Sequence, residues 1–350
     1  MQSPIATSKI AAIQAAPVYL DRDATIAKAC DLIAVAGGEG ARLMVFPEAF
    51  IPAYPGWVWH LAPAQAGGML SGLYAELLDQ AVTIPSVATD RLCEAARRAG
   101  AYVAIGMSER NAEASGGSLY NTLLYIDADG QILGKHRKMV PTGPERLIWA
   151  QGDGSTLSVY DTPFGKISGL ICFENYMPLA RYALYAWGTQ IYIAATVARG
   201  EDWLATLRHI AREGRVFVIG CGIVERKSDI PDRYAFKQTY EPDIDEWINL
   251  GDSAIVNPNG EFIAGPLRGQ EGILYAEIDP VQMHVAKWEL DVAGHYARPD
   301  VFQLTVRTGV QPMITGVQPM ITAQEVGPPK NTQSSEVAAP DKPAIGRTER

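Results

Sequence analysis

Short apolar runs alternate with helical segments along most of the chain, and this alternation restricts the possible folds more than any other feature. The runs Lys9–Pro17 and Arg42–Glu48 predict buried strands, and apolar residues at helical spacing between Asp21 and Gly38 predict a helix. Further strands are predicted over residues 102–110, 119–127, 131–138, 167–172, 190–196 and 216–224, and further helices over 86–98, 178–187 and 203–213. Such alternation is typical of α/β proteins.

Two glycine-containing pairs mark tight turns between strands. Asp129-Gly130 stands between two of the predicted strands, and Asn259-Gly260 joins residues 253–258 to 261–266. Both pairs favour hairpins, because they adopt the backbone angles that two-residue turns need. Hairpins mixed with helical connections predict a mixed sheet system covered by helices, as in a layered α/β sandwich.

The charge balance and the cysteines narrow the class of protein. The 350 residues carry 30 Lys and Arg against 39 Asp and Glu, whereas a nucleic-acid surface needs clustered basic residues. No apolar run reaches the roughly 18 residues that a bilayer helix needs, and the four cysteines form no Cys-x-x-Cys pair. We therefore expect a cytoplasmic protein with reduced thiols and neither a nucleic-acid nor a membrane partner.

Residues 323–350 differ in composition from the rest of the chain. They include four prolines and no aromatic residue, so they bury too little apolar surface to offset the entropy lost on ordering. We predict one domain over residues 1–322 and a disordered tail over residues 323–350. The sequence TGVQPMI occurs twice before the tail, at 308–314 and 315–321, which indicates a local duplication.

The first candidate catalytic residue is Glu48, which follows a predicted strand within VFPEAFIPAYPGW. Apolar and aromatic neighbours disfavour the charged form of a carboxylate, so Glu48 can act as a proton acceptor near neutral pH. The alternative interpretation is a carboxylate that caps a helix or loop.

The second candidate group is basic and ends another predicted strand, in KHRKMVPTGPERLIW. Lys135, Arg137 and Lys138 stand together, and Glu145 follows Lys138 by seven residues. A basic strand end is often only solvated surface, and this alternative stays open for the isolated motif.

The third candidate is Cys172, which ends the apolar run Ile167–Ile171 just before a helix that starts near Pro178. A thiol at such a strand-to-loop corner can be exposed as a nucleophile, although many single cysteines are small buried residues. The other three cysteines lie inside apolar segments and are expected to be buried: Cys30, Cys93 and Cys221.

Other catalytic templates do not match. The sequence has no Gly-x-Ser-x-Gly, no Walker loop and no His-Glu-x-x-His, and its histidines never pair at metal-ligand spacing. We therefore predict no metal and no cofactor. His209 lies on a predicted helix and is interpreted as a core or supporting residue, with a Cys172–His209 dyad as the alternative.

A Glu, a Lys and a Cys in this order, each at a strand end, resemble the catalytic set of the nitrilase superfamily of carbon–nitrogen hydrolases. FPEAFIPAYP resembles the glutamate motif of the true nitrilase branch, HRKMVPT the lysine motif, and GLICFENYMPLARYALYAWG the cysteine motif. The resemblance covers roughly residues 10–304 and implies a four-layer α-β-β-α sandwich. It also implies homodimers that assemble into larger spiral oligomers.

The resemblance assigns roles to four residues: Glu48 as base, Lys138 as cation, Cys172 as nucleophile and Glu145 as a second glutamate. It implies hydrolysis of a small-molecule nitrile with water to the carboxylic acid and ammonia, through a cysteine thioimidate and thioester, with some amide as by-product. The alternatives are an amidase of the same superfamily and a catalytically silent scaffold.

Two positions depart from the family pattern. Phe173 stands where nitrilases usually have Trp after the nucleophile, and Gly143-Pro144 occupies a pair that often includes His. These departures concern the substrate range more than the reaction. The residues expected to form the substrate pocket are Tyr54, Trp59, Trp149 and Phe173.

Overall fold

The computed structural model describes residues 7–113, 115–240 and 247–310. The strands are β1 (Ser8–Gln14), β2 (Leu43–Val45), β3 (Tyr102–Arg110), β4 (Leu119–Ile126), β5 (Ile132–Arg137), β6 (Ile167–Ile171), β7 (Ile191–Thr196), β8 (Phe217–Gly222), β9 (Val224–Arg226), β10 (Trp247–Val256), β11 (Phe262–Arg268) and β12 (Gly272–Ile278). The helices are α1 (Arg22–Gly38), α2 (Pro63–Gln80), α3 (Val87–Ala99), α4 (Pro178–Ala186), α5 (Glu201–Gly214) and α6 (Pro280–Glu289). The predicted tail, its boundary at residue 322 and most of the TGVQPMI repeat lie outside the described residues.

The first sheet has the strand order β12-β1-β2-β3-β4-β5. Its centre is parallel, with Ile10 opposite Leu43 and Leu43 opposite Tyr102. β4 and β5 continue it as an antiparallel hairpin, and the turn at Asp129-Gly130 confirms the predicted hairpin. β12 closes the other edge antiparallel to β1.

The second sheet has the strand order β11-β10-β8-β7-β6. β6, β7 and β8 are parallel, with Ile167 opposite Ile191 and Ile191 opposite Phe217. β10 lies antiparallel to β8 and forms the predicted hairpin with β11 through Asn259-Gly260. The short β9 also pairs with β10.

The two sheets pack face to face, with helices on both outer faces. In β1 the side chains alternate: Ile10 and Ala12 join the core between the sheets, while Ala11 and Ile13 join the core under α1 and α3. α4 and α5 cover the outer face of the second sheet. This arrangement confirms the predicted α-β-β-α sandwich, and the four layers follow from strands that are apolar on both faces.

The helices follow the predicted pattern with two exceptions, α2 and α6. α3 begins at a capping box between Ser86 and Thr89 and ends at Gly100, whose positive φ of 59° suits glycine. α2 was not predicted, because its sequence includes three glycines and it buries only Leu73 and Leu77. None of the helices in the described residues is long and apolar enough to cross a membrane.

Candidate active site

The predicted catalytic residues come from three strand ends. Glu48 lies three residues after β2, Lys138 directly follows β5, and Cys172 directly follows β6 of the second sheet. β2 and β5 point the same way in the first sheet, so Glu48 and Lys138 emerge at the same edge. Glu145 lies on a short 3₁₀ helix just beyond Lys138.

Lys138 is the centre of a buried ion cluster. Its Nζ lies 2.7 Å from Glu48 Oε1 and 2.8 Å from Glu145 Oε2. The side chains of Lys138 and Glu48 have no exposed surface, and that of Glu145 is 1% exposed. We call these three residues the cavity cluster. Two carboxyl groups therefore share one ammonium in a buried site.

Glu48 is fixed by donors from two other segments. Asn121 Nδ2 on β4 donates to Glu48 Oε1 over 2.7 Å, and the backbone N–H of Val197 donates to Glu48 Oε2 over 3.0 Å. Gly106 on β3 lets this segment approach the sheet, because a Cβ there would collide with the backbone of Pro47 and Glu48. The carboxylate therefore has one defined orientation.

Glu145 is held by the residues that surround the site entrance. The hydroxyl of Tyr54 donates to Glu145 Oε1 over 2.7 Å, and the backbone N–H of Thr142 donates to Oε2 over 2.7 Å. The indole N–H of Trp59 donates in turn to the Tyr54 hydroxyl over 2.8 Å. These contacts link two predicted pocket residues directly to the cavity cluster.

Cys172 occupies a strained backbone position. Its φ is +52°, a left-handed conformation that costs a non-glycine residue on the order of 1 kcal/mol. Asn175 Nδ2 holds the turn by donating to the Cys172 carbonyl over 2.7 Å, and the Tyr192 hydroxyl donates to Asn175 Oδ1 over 2.8 Å. The Thr196 side chain lies close enough to the Cys172 thiol to lower its pKa, against the larger effect of burial. The strained turn thus directs the thiol to one side of the corner.

Glu174 ties the nucleophile turn to the lysine segment, and sequence reasoning did not identify it. It accepts from the backbone N–H of Met139 over 2.6 Å and of Ile171 over 3.0 Å, and lies 3.0 Å from His136 Nε2. Burial alone would raise the pKa of Glu174, but His136 and these donors outweigh it and lower the pKa. The sequence feature that could have identified Glu174 is its position two residues after Cys172.

The other cations of the lysine motif belong to a second ion cluster. Arg137 makes two hydrogen bonds to Glu109, with Nη2 to Oε1 at 2.6 Å and Nε to Oε2 at 3.0 Å, and Lys135 Nζ lies 2.6 Å from Oε1. We call Glu109, Lys135 and Arg137 the strand cluster. Among the three motif cations, only Lys138 contacts Glu48 and Glu145.

Burial sets the protonation of the candidate nucleophile and base. Burial, and then the negative charge of Glu48, raise the pKa of the Cys172 thiol to about 12 despite the opposing effect of Lys138. Burial also raises the pKa of Glu48, against the lowering effect of Lys138. For Lys138, burial would lower the pKa, but Glu48, Cys172 and Glu145 outweigh it and raise the pKa. The thiol is therefore neutral at rest beside a permanent cation.

A cavity of about 640 Å³ opens onto Cys172 and Glu145. This volume suits a small organic molecule. The cavity is lined by Tyr54, Gly56, Trp59, His60, Thr142, Glu145, Cys172, Phe173, Val197, Ala198, Arg199, Thr239, Tyr240, Trp247, Ile248 and Asn249.

Three of the four predicted aromatic pocket residues line this cavity: Tyr54, Trp59 and Phe173. Phe173 is 49% exposed and packs edge-on against Tyr176, with ring centroids 5.2 Å apart. Trp149 lies behind the cavity wall, buried against Tyr54 with ring centroids 5.7 Å apart. It supports the wall instead of forming it.

The remaining cysteines and His209 lie elsewhere. Cys221 is buried and its thiol donates to backbone carbonyls, whereas Cys30 and Cys93 are only partly buried, contrary to expectation. They belong to α1 and α3, whose apolar spacing does not distinguish the helix edge from its centre. His209 is exposed and lies 3.1 Å from Glu213, so it is not the core residue that the helix pattern predicted.

The chain is similar to a family model, to named nitrilases and to solved structures. The family model described as carbon–nitrogen hydrolase matches residues 9–287. The chain is 44% identical over 302 residues to an aliphatic nitrilase of Sinorhizobium fredii, covering 85% of this chain and 95% of the relative. It is 40% identical to Nitrilase 1 of Arabidopsis thaliana, covering 92% and 93%, and 40% identical to the bifunctional nitrilase/nitrile hydratase NIT4B of Nicotiana tabacum, covering 86% of each.

Solved structures share the fold at lower sequence identity. Nit3 of Saccharomyces cerevisiae, from the nitrilase superfamily, superimposes with a TM-score of 0.64 at 20% identity, covering 83% of this chain and 96% of Nit3. An amidase from Nesterenkonia sp. gives a TM-score of 0.59 at 20% identity, covering 81% and 94%. These matches agree with the two-sheet sandwich described above.

Proposed function

The chain belongs to the nitrilases of the carbon–nitrogen hydrolase superfamily, and we propose that it hydrolyses organic nitriles to carboxylic acids and ammonia at Cys172. The main support is the position of one buried ammonium, Lys138, between Glu48 and Glu145, next to a thiol that lines a cavity. Glu48, Lys138 and Cys172 form the catalytic triad of this proposal, and Glu145 is the second glutamate.

The first step forms a covalent thioimidate. Sγ of Cys172 attacks the nitrile carbon while Glu48 accepts the thiol proton, because the neutral thiol is a poor nucleophile and its pKa is raised to about 12. One π bond of the nitrile breaks, and its electron pair goes to nitrogen, which takes up the proton that Glu48 received, so that Glu48 is a carboxylate again. Lys138 stabilises the negative charge that develops on nitrogen in the buried site.

Water completes the reaction. Glu48 removes a proton from a water molecule that adds to the thioimidate carbon, giving a tetrahedral intermediate. Loss of ammonia leaves a thioester, which a second water molecule hydrolyses to the acid and the free thiol. If the tetrahedral intermediate expels the Cys172 thiolate instead, the product is the amide, so one site can release both products.

Glu145 has a supporting role in this scheme. It holds Lys138 through a 2.8 Å contact and is itself held by Tyr54 and Thr142. A buried ammonium is costly unless it is paired and hydrogen-bonded, so two carboxylates keep Lys138 charged without making either one its exclusive partner. Glu48 can then accept a proton while Lys138 remains paired with Glu145.

We further propose a cytoplasmic homodimer that assembles into larger spiral oligomers. All four cysteines are free thiols, which supports a reducing compartment. Large apolar side chains are exposed close to the nucleophile turn and along α4: Tyr176 at 46%, Leu179 at 68% and Trp187 at 37%. A second copy of the chain would bury this surface.

The activity is tested by incubating the pure protein with phenylacetonitrile, a dinitrile and the matching amides, and measuring ammonia and products. Acid and ammonia from nitriles support the proposal. Turnover of amides alone would identify an amidase, and no turnover of either class would indicate a silent scaffold.

The assignment of the nucleophile is tested with Cys172→Ala, which we expect to abolish turnover with the fold intact. Cys93→Ala, which removes a partly buried thiol outside the cavity, is the matched control and should remain active. In Glu145→Gln, which keeps Glu48 as the base for attack, a nitrile should leave a covalent adduct on Cys172 if hydrolysis slows more than attack, seen by intact-mass spectrometry and peptide mapping. Activity in Cys172→Ala, or an adduct only on another cysteine, would contradict the mechanism.

A further inference from the structure

The cavity has a second polar region, separate from the cavity cluster. Arg199 lines the cavity from the loop between β7 and α5. The same segment contacts the reacting groups, since Thr196, the last residue of β7, lowers the pKa of the Cys172 thiol and the backbone N–H of Val197 donates to Glu48. Arg199 is three positions after Thr196 in the chain, so their Cα atoms lie at most about 11 Å apart.

Arg199 is the only lysine or arginine among the described residues that line the cavity. The other basic lining residue is His60, and burial lowers the pKa of His60 and thereby favours its neutral form. The remaining walls are largely aromatic, aliphatic or small. The positive charge at this end of the cavity therefore comes from one guanidinium.

The protein does not neutralise this charge with an ion pair in the described part of the chain. Arg199 Nη1 donates to the amide oxygen of Asn249 over 2.7 Å, and Asn249 Nδ2 donates to Glu225 Oε2 over 3.1 Å. A neutral amide thus orients the guanidinium. An arginine has five N–H donors, and one contact leaves others available for a ligand.

The carboxyl group beyond Asn249 adds little compensating charge near neutral pH. Glu225 is 3% exposed, and burial raises its pKa to about 8 despite the opposing effect of Asn249. Asp229 raises that pKa further. At neutral pH Glu225 is therefore mostly protonated, and Asn249 separates it from Arg199.

We propose that Arg199 binds a carboxylate carried by the substrate, so that the preferred substrates are short aliphatic nitriles with a carboxylate at the end opposite the cyano group. This inference rests on the proposed nitrile hydrolysis and adds the substrate class. A guanidinium matches the planar geometry of a carboxylate and can bind it through two parallel N–H···O bonds. The carboxylate would fix the substrate chain with its cyano carbon toward Cys172.

The test compares 4-cyanobutanoate with its methyl ester, which has nearly the same shape but no charge. In the parent enzyme, kcat/KM should be higher for the acid, and this preference should fall as NaCl is increased, because Arg199 is exposed to solvent. In Arg199→Ala, the acid-to-ester ratio of kcat/KM should fall on the order of tenfold, mainly through KM for the acid. Arg199→Lys should retain part of the preference.

The matched control is Arg212→Ala, which removes the same charge from an exposed position on α5 that does not line the cavity. The acid-to-ester ratio should stay at the parent value in this variant. No preference for the acid in the parent enzyme, or an equal loss for acid and ester in Arg199→Ala, would overturn the proposal.

Binding separates this proposal from the proposed reaction. Calorimetry measures the affinity of 4-cyanobutanoate for Cys172→Ala and for Cys172→Ala combined with Arg199→Ala. If the parent hydrolyses no nitrile but the affinity for the anion falls on the order of tenfold with Arg199→Ala, the carboxylate site stands and the reaction is wrong. If nitriles are hydrolysed and the affinity is unchanged, the carboxylate site is wrong.

Discussion

The cavity cluster and the strand cluster begin at neighbouring residues of one strand end but differ in how many cations each buried carboxylate has. Lys135 and Arg137 point to one face of β5 and share the buried carboxylate Glu109, with the exposed Glu113 as a second partner of both. Lys138 points to the other side and is shared by the two carboxylates Glu48 and Glu145. Arg137 and Lys138 are adjacent in the chain but therefore belong to two separate buried ionic sites.

The charge balance determines the direction of the carboxyl pKa shifts. Glu48 and Glu109 are both buried, and burial raises the pKa of a carboxyl group. For Glu109, Arg137 and Lys135 outweigh burial and lower the pKa. For Glu48, a single shared cation does not outweigh burial together with the charge of Glu145, and the pKa is raised.

This difference teaches where the fold gains stability and where it holds a reactive group. A carboxylate with a lowered pKa stabilises the folded state in its charged form. A carboxyl group with a raised pKa lies in a site that disfavours its charged form, so it accepts a proton more readily. We infer that the strand cluster stabilises the sandwich and that the cavity cluster serves the reaction.

The largest expected effect is on turnover, in a pair of lysine substitutions. Lys138→Met should lower kcat/KM for a nitrile by about 10³-fold or more, because the charge that develops on nitrogen loses its buried cation. Lys135→Met should change kcat/KM by less than about threefold, since Lys135 is partly exposed and Arg137 still pairs with Glu109.

Steady-state kinetics measures kcat/KM of both variants, and circular dichroism verifies that both variants are folded. A similar loss in the two variants would show that the clusters are not functionally distinct. Retention of activity in Lys138→Met would remove Lys138 from the mechanism.

The second expected effect is on stability. Here the larger loss comes from a substitution in the strand cluster and not from one in the cavity cluster. Glu109→Gln should lower the free energy of unfolding by about 2 kcal/mol at pH 7, because Arg137 and Lys135 lose their buried carboxylate and keep only the exposed Glu113. Glu48→Gln should leave stability unchanged or raise it, since it removes a disfavoured charge while Glu145 still pairs with Lys138.

The two sites should also depend on pH in opposite directions. The stabilising contribution of Glu109, whose pKa is lowered, is present above its unfolded pKa of about 4.3 and is lost as the pH falls through its folded value. The contribution of Glu48, whose pKa is raised, is present below its unfolded pKa and is lost as the pH rises through its folded value. Urea unfolding at pH 7 and at about pH 3, below the unfolded pKa of a glutamate, measures this, and a deficit of Glu109→Gln that does not shrink in acid would contradict the account.

The sequence predicted the residues at strand ends better than the residues that hold them. Glu48, Lys138 and Cys172 could be found because each directly follows or closely follows an apolar run, and strand ends are where side chains converge. Asn121 could not be found, because its contact with Glu48 joins segments 73 residues apart in the chain. Glu174 stands close to Cys172 in the sequence, but its contact with Met139 joins segments 35 residues apart and did not show in the local pattern. Such contacts depend on strand order, which the local pattern does not contain.

The layers of the fold could also be predicted from the sequence, but the depth at which individual side chains are buried could not. Alternating apolar runs predicted both sheets and most of the covering helices, but Trp149, assigned to the cavity wall from its motif position, lies behind Tyr54 in the structure. Helical spacing likewise placed His209 in the core, whereas it is exposed. A periodic pattern identifies a face, and neighbouring elements decide how deeply each side chain on that face is buried.

The smallest expected effect concerns two adjacent residues of β4, each of which donates to one of the clusters. Asn121 donates to Glu48 over 2.7 Å, and the hydroxyl of Thr122 donates to Glu109 Oε2 over 2.8 Å. The bond from Asn121 lowers the pKa of Glu48, so Asn121→Leu should raise that pKa further. If ionised Glu48 is the base, the acidic limb of kcat/KM then moves to higher pH.

Thr122→Val is the matched control for this shift, because it removes a donor of the strand cluster at the next residue. It should leave the acidic limb in place and lower the free energy of unfolding by about 1 kcal/mol, the usual size of one lost hydrogen bond. In Asn121→Leu, kcat/KM should fall most at low pH and approach the parent value as Glu48 becomes ionised. A limb that stays fixed in Asn121→Leu, or that moves equally in both variants, would show that the group titrating in the reaction is not the carboxyl that Asn121 orients.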